Sequence, residues 1–297
     1  MPDARLVLED RALLPVFADR CANLDVLLKP NRRTFAVLSG WIGGAILVVA
    51  LGYFGLPRLA ASFALIIPES LEARLGDRVE RSFESSLDAK PCPRGDGDAA
   101  FDALVLRLSN AAGLEHRPRV LILRHAMANA FALPGNRIVI TTGMIAFLEA
   151  SDELAGILAH EIGHLQHRDP VTLLIDQAGW QALWGIIFGL NSTGRLGQTL
   201  LSLSYTRNAE ARADQSAITT LAAAHIDAAG FEHVMRRFAS REGLNLSYLS
   251  THPPSIGRAD AIAQAGKHGD ASMSPEEWQR VKTNALACAM MPSSALQ

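Results

Sequence analysis

The stretch SDELAGILAHEIGHLQHRD, residues 151–169, decides how the chain around it folds. Four apolar residues in it recur at the spacing of one helical face. They are Leu154, Leu158, Ile162 and Leu165. His160 and His164 are four residues apart, so their imidazoles share a different face, one turn from each other. The spacing predicts a helix with one side in the core and another side that carries polar chemistry.

Two imidazoles one helical turn apart are suited to hold one metal ion, and Glu161 completes the pattern HEIGH. Its carboxylate points about 80° away from the mean direction of the two histidines. It is therefore off the ligand axis but within reach of a water on the metal, which is the position of a general base. Catalytic zinc usually takes three protein ligands and leaves a position for water, so a third ligand is expected downstream.

Two neighbouring residues need separate interpretations. Gly163 costs about 1 kcal/mol relative to alanine in mid-helix, which indicates that another backbone approaches the site there. His167 is the nearest further candidate ligand, but it lies about two turns along the helix axis from His160. An ordinary polar residue near the helix end is the favoured interpretation of His167.

A better candidate ligand lies in the segment SLSYTRNAEARADQSAITTLAAA, residues 202–224. Glu210 and Asp214 are four apart on one helical face, so one carboxylate can bind the metal while the other accepts the spare ring N–H of a ligand histidine. The alternative is a solvated helix face on which Arg207 and Arg212 pair with both acids. Spacing alone leaves both interpretations open.

Composition excludes several classes of protein. The chain has 297 residues, a formal net charge of −2, 49% hydrophobic residues and 20% charged residues. The length allows one large domain or two small ones, and the apolar content excludes a disordered chain. A near-neutral charge argues against a nucleic-acid partner. Cys21, Cys92 and Cys288 have no metal-type spacing and are too few for a disulfide scaffold.

Residues 34–57 form an apolar run of 24 residues without a charge, between Arg33 and Arg58. This length covers a bilayer core of about 30 Å and predicts one transmembrane helix. A cleaved signal peptide is disfavoured because 33 residues precede the run. Four cations lie within fifteen residues before the run, and only Arg58 lies within fifteen after it. The positive-inside rule therefore places the N-terminus in the cytoplasm.

The chain is predicted to have four parts: a short cytoplasmic segment at 1–33, the membrane helix at 34–57, a membrane-proximal arm and linker at 58–97, and the main domain at 98–297. We expect residues 59–87 to include an amphipathic helix that packs on the main domain. The stretch 88–97, with two prolines and two glycines, is a linker by composition.

The main domain is expected to be α+β and mostly helical, with a small sheet. A helix at 99–113 is closed by Gly113, and 119–125 has the composition of a strand. Residues 128–143 predict two strands joined through Pro134-Gly135-Asn136.

Two later segments add to this fold. A helix is predicted after Ser274-Pro275-Glu276-Glu277, which has the residues of a capping box. The apolar stretch 178–190 is too short to span a membrane; it is either a core helix or an interfacial helix on the bilayer. Trp180 and Trp184, four apart in this stretch, do not distinguish the two.

Four elements together resemble the gluzincin peptidase family that includes the CAAX prenyl protease, the HtpX heat-shock protease and the BepA-type periplasmic proteases. HEIGH is followed 46 residues after His164 by Glu210-Ala-Arg-Ala-Asp214. The stretch NAFALPG at 129–135 resembles the family's edge-strand element, and His252-Pro253-Pro254 with Arg258 resembles its downstream H-P element. Thr206 replaces a common serine and Asn136 a common glycine, and neither position touches the expected chemistry.

The resemblance implies a zincin-like metallopeptidase domain with one Zn²⁺ per chain. Its zinc ligands would be His160, His164 and Glu210, with Glu161 catalytic and Asp214 supporting a ligand. It also implies that His252 and Arg258 lie close to the site, where they stabilise the transition state or, in a latent form, cap the zinc. An extended substrate would pair along the strand at Asn129, Ala130 and Phe131.

The function expected from this resemblance is that of a zinc endopeptidase anchored in the bilayer, acting on misfolded, unfolded or membrane-associated envelope proteins. A chaperone-like assembly factor whose zinc is held latent by His252 is the alternative, and a purely structural zinc site is disfavoured because it would want four closed ligands. The single span resembles BepA-type or mitochondrial inner-membrane members.

The cation count and this resemblance place the protein in a bacterial inner membrane, single-pass, with a periplasmic catalytic domain. Cys92 and Cys288 would then share the oxidising side, where a disulfide between them is allowed but not established. The oligomeric state is not predicted.

Overall fold

The computed structural model describes residues 12, 14–20, 32–51, 67–86, 89–93, 95, 97–178, 204–240, 248, 251–252, 256–264 and 269–291. The chain divides into two compact units, Met1–Leu56 and Pro57–Gln297. The first unit contains helices α1 (Leu14–Arg20) and α2 (Arg32–Ala50).

Helix α2 coincides with most of the predicted membrane span at 34–57. Its apolar side chains are exposed, for example Trp41 at 77% and Val49 at 69%. Among the described residues, no helix combines the length and the hydropathy that crossing a bilayer requires. Residues 52–57 of the predicted span lie outside the described part of the chain, and the transmembrane helix stays a prediction.

The second unit is mostly helical around a small sheet, which confirms the expected α+β class. Its elements in chain order are α3 (Glu69–Ser86), α4 (Asp98–Ala111), β1 (Arg119–Leu123), β2 (Ala130–Leu133), β3 (Arg137–Thr141), α5 (Thr142–Phe147), α6 (Ser151–Gln166), α7 (Asp169–Leu173), a π-helical segment Leu174–Ala178, α8 (Arg207–Ala223), α9 (Ala229–Ser240), α10 (Ile256–Ala263) and α11 (Pro275–Met290).

The three strands lie in the order β1-β3-β2, with β1 parallel and β2 antiparallel to β3. The predicted turn joins β2 to β3. Gly135 and Asn136 there have φ values of 75° and 57°, a left-handed conformation that these two residue types tolerate best. Because β2 comes last in this strand order and pairs with β3 on one side, it forms an edge of the described sheet.

The predicted arm helix is confirmed as α3, and it packs on one face of the sheet. Leu75, Val79 and Phe83 are buried on it. Phe83 stacks on Phe131 of β2 with ring centroids 4.6 Å apart. The arm thus lies in the same compact unit as the residues that follow Asp98.

Helix α6 runs through the main core on the other face. Three residues of the predicted apolar stripe, Leu154, Leu158 and Ile162, are fully inaccessible there, and the fourth, Leu165, is half-buried against the same core. A Cβ built on Gly163 would lie 2.9 Å from the carbonyl oxygen of Ala213 on α8. The absence of that Cβ lets α8 approach α6, which confirms the expected close approach of another backbone.

The C-terminal helix α11 begins with the predicted capping box of Ser274 and Glu277. A disulfide joins Cys92, in the segment between α3 and α4, to Cys288 on α11. This settles the pairing that the sequence left open. Most of the apolar stretch at 178–190 lies outside the described residues.

Candidate metal centre

The centre is built on two histidines of α6. Both His160 and His164 are fully buried, and their Nε2 atoms are 3.1 Å apart. The stripe of apolar residues on the opposite side of α6 fixes the rotation of the helix, so the two imidazoles face away from the main core and toward α8. The helical spacing of the HEIGH pattern therefore produces the first half of the site.

Helix α8 supplies a carboxylate. Its N-cap is Thr206, whose hydroxyl accepts a hydrogen bond from the backbone N–H of Ala209 at 3.2 Å. Glu210 follows in the first turn, and its two carboxylate oxygens each lie 3.6 Å from an Nε2 atom, Oε2 from that of His160 and Oε1 from that of His164. The threonine that departs from the family pattern thus serves as the helix cap.

His252 completes the cluster from a part of the chain after α9. Its Nδ1 lies 2.9 Å from Oε1 of Glu210 and 3.3 Å from Nε2 of His160. The ligand atoms of His160, His164, Glu210 and His252 all lie within 4.8 Å of one another, and all four residues are buried. Three imidazole nitrogens and one carboxylate oxygen make a donor set that fits zinc.

The other ring nitrogens of the two α6 histidines each face a carboxylate. His160 Nδ1 lies 3.0 Å from Oδ1 of Asp214, and His164 Nδ1 lies 2.9 Å from Oδ2 of Asp169. Such partners fix the tautomer and leave Nε2 free to bind a metal. The two rings are thereby held in the orientation that a ligand needs.

Arg258 connects two of the acids. Its guanidinium donates to Asp214 at 2.6 and 2.7 Å, and its Nη1 lies 2.6 Å from Oε2 of Glu210. Arg258 therefore lies next to the cluster, as predicted, and its charge pairs with the carboxylates of Glu210 and Asp214. A direct contribution of Arg258 to the transition state stays a prediction.

The electrostatics of the centre favour ionised carboxylates. Burial raises the pKa of Glu210, but the charges and hydrogen bonds of His252, His164 and then His160 outweigh burial and hold it well below its usual range. Burial likewise opposes ionisation of Asp214, and the Arg258 guanidinium brings its pKa to about 2. Both groups are therefore anionic at neutral pH, which suits a site for a cation.

Neighbouring acids and burial also shift the pKa values of the histidines. Burial lowers the pKa of His164, but its hydrogen bonds to Asp169 and Glu210 raise it to about 9. Burial keeps the pKa of His160 and of His252 below its ordinary value.

Glu161 is fully buried beside the cluster, with Oε1 at 3.5 Å from Nε2 of His252. Burial raises its pKa, which His160 and His164 partly counteract. The backbone of Ala132 also lies close enough to lower that pKa. A carboxylate with a raised pKa next to a metal site is suited to exchange a proton with water.

The strand predicted to bind substrate lies across from Glu161. The carbonyl of Asn129 accepts from the backbone N–H of Thr141 at 3.0 Å, so this residue faces β3. Backbone groups alternate between the two edges of a strand, so Phe131 also faces β3, whereas Ala130 and Ala132 face the open edge. Substrate pairing along Asn129, Ala130 and Phe131 stays a prediction. That set of residues does not include Ala132, whose backbone groups also face the open edge.

Several residues of the centre were missed from the sequence. Asp169 lies at the end of the HEIGH segment, where an acid five residues after His164 was a visible signal. The ring of Tyr205 stacks on His164 at 3.9 Å between centroids, and Tyr248 stacks on His252 at 4.5 Å. No spacing rule links these rings to the motif. His167 points elsewhere, to the hydroxyl of Ser216 at 3.1 Å.

Comparison with known proteins agrees with this geometry. The sequence profile of peptidase family M48 matches residues 97–265. The mitochondrial metalloendopeptidase OMA1 of Arabidopsis thaliana is 28% identical over 168 residues, 55% of this chain and 35% of the relative.

Two bacterial relatives are also similar. A protease HtpX homolog of Acidiphilium cryptum is 35% identical over 43% of this chain and 45% of the relative. A putative beta-barrel assembly-enhancing protease of Vibrio cholerae is 29% identical over 46% of this chain and 30% of the relative. The chain thus spans between 30% and 45% of the length of these three relatives.

Proposed function

Because the chain belongs to peptidase family M48, we propose that it is an endopeptidase with one zinc ion held by His160, His164 and Glu210. The observation that carries the proposal is the convergence of these ligand atoms with a buried Glu161 beside them. The similar proteins named above, a protease homolog and a metalloendopeptidase, support it.

Zinc bound in such a site lowers the pKa of a water toward about 7 and polarises the scissile carbonyl. Glu161 takes the proton of the attacking water and passes it to the nitrogen of the leaving amine. The raised pKa of its carboxyl group suits this exchange. Asp214 and Asp169 hold His160 and His164 in place, and Arg258 holds the carboxylate of Glu210.

The open edge of β2 is proposed to bind the substrate in extended form. Main-chain hydrogen bonds to Ala130 and Ala132 would hold any sequence, which suits unfolded or membrane-associated proteins as substrates. The nearness of Ala132 to Glu161 would place the paired backbone beside the proton acceptor.

We further propose that the domain is anchored in a bacterial inner membrane through residues 34–57 and lies in the periplasm. The exposed apolar side chains of α2 support an anchor. The disulfide between Cys92 and Cys288 supports an oxidising compartment.

His252 favours one alternative, in which the protein mainly binds clients and keeps its zinc latent. Its Nδ1 lies among the other ligand atoms, so His252 would occupy the position that a water needs. The same fold would then act as a chaperone-like assembly factor until His252 moves.

The test compares purified wild-type and Glu161→Gln proteins for zinc content and for cleavage of casein. We expect equal zinc and a loss of cleavage of about 10²- to 10⁴-fold. Glu149→Gln is the matched control. The Glu149 side chain is 62% exposed, and its substitution removes the same negative charge at a position away from the centre. Equal cleavage by the wild-type and Glu161→Gln proteins would refute catalysis by Glu161.

A further inference from the structure

Arg168 makes the turn between α6, which carries two histidines of the centre, and α7. Helix α6 ends at Gln166, α7 begins at Asp169, and Arg168 has φ 52° and ψ 30°. This left-handed conformation suits glycine or asparagine and is unfavourable for arginine. A non-glycine residue keeps such a conformation when the surrounding structure holds it there. The arginine side chain is therefore expected to supply something that glycine would not.

The turn at Arg168 sets the position of the Asp169 carboxylate. Asp169 directly follows Arg168, and its Oδ2 lies 2.9 Å from Nδ1 of His164. The carbonyl of Arg168 accepts from the backbone N–H of Thr172 at 3.2 Å, so the same residue begins the hydrogen bonding of α7. A change of the backbone at Arg168 would thus move the Asp169 carboxylate relative to the His164 ring.

The side chain of Arg168 is held by the arm. Its Nε donates to Oε2 of Glu72 on α3 at 3.0 Å, and its Nη2 donates to the carbonyl of Ile67 at 2.8 Å. The side chains of Arg168 and Glu72 are only 19% and 13% exposed. Water and salt screen such a pair less than a surface ion pair, so the contact can hold a geometry.

Glu72 is itself held in place by the turn between β2 and β3. Its Oε1 accepts from the backbone N–H of Gly135 at 3.2 Å. A Cβ built on Gly135 would lie 2.8 Å from Cα of Ala73, so α3 packs directly against this turn. With one oxygen on the turn and the other on Arg168, the Glu72 carboxylate has a fixed orientation.

We propose that Glu72 and Arg168 are positioning residues through which the arm sets the orientation of the zinc ligand His164. Glu72 fixes the arginine side chain, the arginine fixes the turn, and the turn places the carboxylate of Asp169 against the ring. The inference rests on the proposed zinc site and deepens it. Glu72 precedes residues 97–265, which match the family profile, so this support comes from outside the matched region.

The test measures the zinc affinity of the whole chain by competition with a chromophoric chelator. Arg168→Gly removes the side chain but leaves a residue that adopts the left-handed turn readily, so a role in the turn alone would be preserved. Glu72→Gln keeps the turn and removes the charge that holds the arginine. We expect each variant to weaken zinc binding about tenfold, the lower end for partners behind a metal ligand, because the pair acts through Asp169.

Each variant has a matched control. His225→Gly makes the same change at a left-handed residue, with φ 53°, beyond the C-terminal end of α8, whereas Glu210 lies in the first turn of that helix. Glu69→Gln removes the same charge from an exposed position in the first turn of α3. Both controls should bind zinc like the wild-type protein. An equal loss in a control would overturn the proposal, since it would reflect backbone freedom or net charge alone.

A double variant tests whether the two residues act as one contact. Glu72→Gln/Arg168→Gly should then bind zinc about tenfold more weakly than the wild-type protein, as each single variant does. Two independent losses would instead multiply to about a hundredfold, and that result would overturn the proposed series of contacts. Unchanged zinc affinity in the single variants would overturn it as well.

A measurement without metal decides the proposal even if the protein binds no zinc. In chelator-treated protein labelled with ¹⁵N-histidine, the Nδ1 proton of His164 should exchange slowly with water, because Asp169 accepts it. Its resonance is identified by its absence from His164→Ala.

Arg168→Gly and Glu72→Gln should raise this exchange rate about tenfold, and the two controls should leave it unchanged. Equal exchange in all these proteins would overturn the positioning role. Faster exchange in the two variants, together with a wild-type protein that binds no zinc, would support the positioning role and count against the proposed zinc site.

Discussion

Asp169 holds His164 from the side opposite the metal ligands. Oδ2 of Asp169 lies 2.9 Å from Nδ1 of His164, and Oδ1 accepts from Arg212 at 2.9 Å. The carboxylate is 3% exposed, so its contacts are made largely out of water. Because Arg212 neutralises it, Asp169 can orient the ring at a low cost of burial.

Replacing Asp169 by Asn should weaken zinc binding by about 10- to 100-fold, because the ring of His164 loses its charged partner. Zinc affinity is measured by competition with a chromophoric chelator. Asp176→Asn is the control, since Asp176 is an exposed acid seven positions further along. Equal affinities of the wild-type protein and Asp169→Asn would contradict a positioning role.

Arg258 should contribute strongly to stability even without zinc. Arg258→Ala leaves the buried carboxylates of Glu210 and Asp214 without their shared cation, and removal of one partner from such a group costs about 3–5 kcal/mol. Urea unfolding in the presence of a chelator measures the free energy of unfolding.

Two further variants test the origin of that effect. Arg258→Lys keeps the charge but not the two-pronged contact with Asp214, so we expect an intermediate loss. Arg236→Ala removes the two ion pairs of an exposed arginine, with Glu232 and Asp260, and should cost about 0–1 kcal/mol. A loss for Arg258→Ala no larger than for Arg236→Ala would be inconsistent with the buried network.

His252→Ala distinguishes a latch from a catalytic group. If His252 closes the site, its removal should raise casein cleavage on the order of tenfold, which corresponds to a closed state favoured by about 1.4 kcal/mol. The exposed His167 offers the control His167→Ala. A fall in cleavage would instead assign His252 to transition-state stabilisation, and unchanged cleavage would exclude both roles.

Local spacing predicted the parts of the site that one element contains. The face shared by His160 and His164 follows from helical periodicity alone, and the turn at Gly135 follows from the conformations its residues allow. No comparable spacing rule predicts, from the sequence, the contacts between elements that are distant along the chain. The stacking of Tyr205 on His164 depends on how α8 docks, and no pattern in the sequence encodes that distance.

The position of α3 is a second example of a contact between distant elements that the sequence did not predict. The amphipathic pattern predicted the helix and its packing on the domain, but not which strand it would meet. The stack of Phe83 on Phe131 arises because the sheet turns that face toward the arm. The pairing of Cys92 with Cys288 is similar, since 196 residues separate the two cysteines.

That disulfide should be a large contribution to stability. Because it closes a long loop, the double variant Cys92→Ser/Cys288→Ser should lose about 2–5 kcal/mol of unfolding free energy. The chain has three cysteines, so denatured, unreduced protein should titrate one thiol and reduced protein three. Three thiols before reduction would contradict the pairing, as would a double variant that unfolds at the same urea concentration as the unreduced wild-type protein.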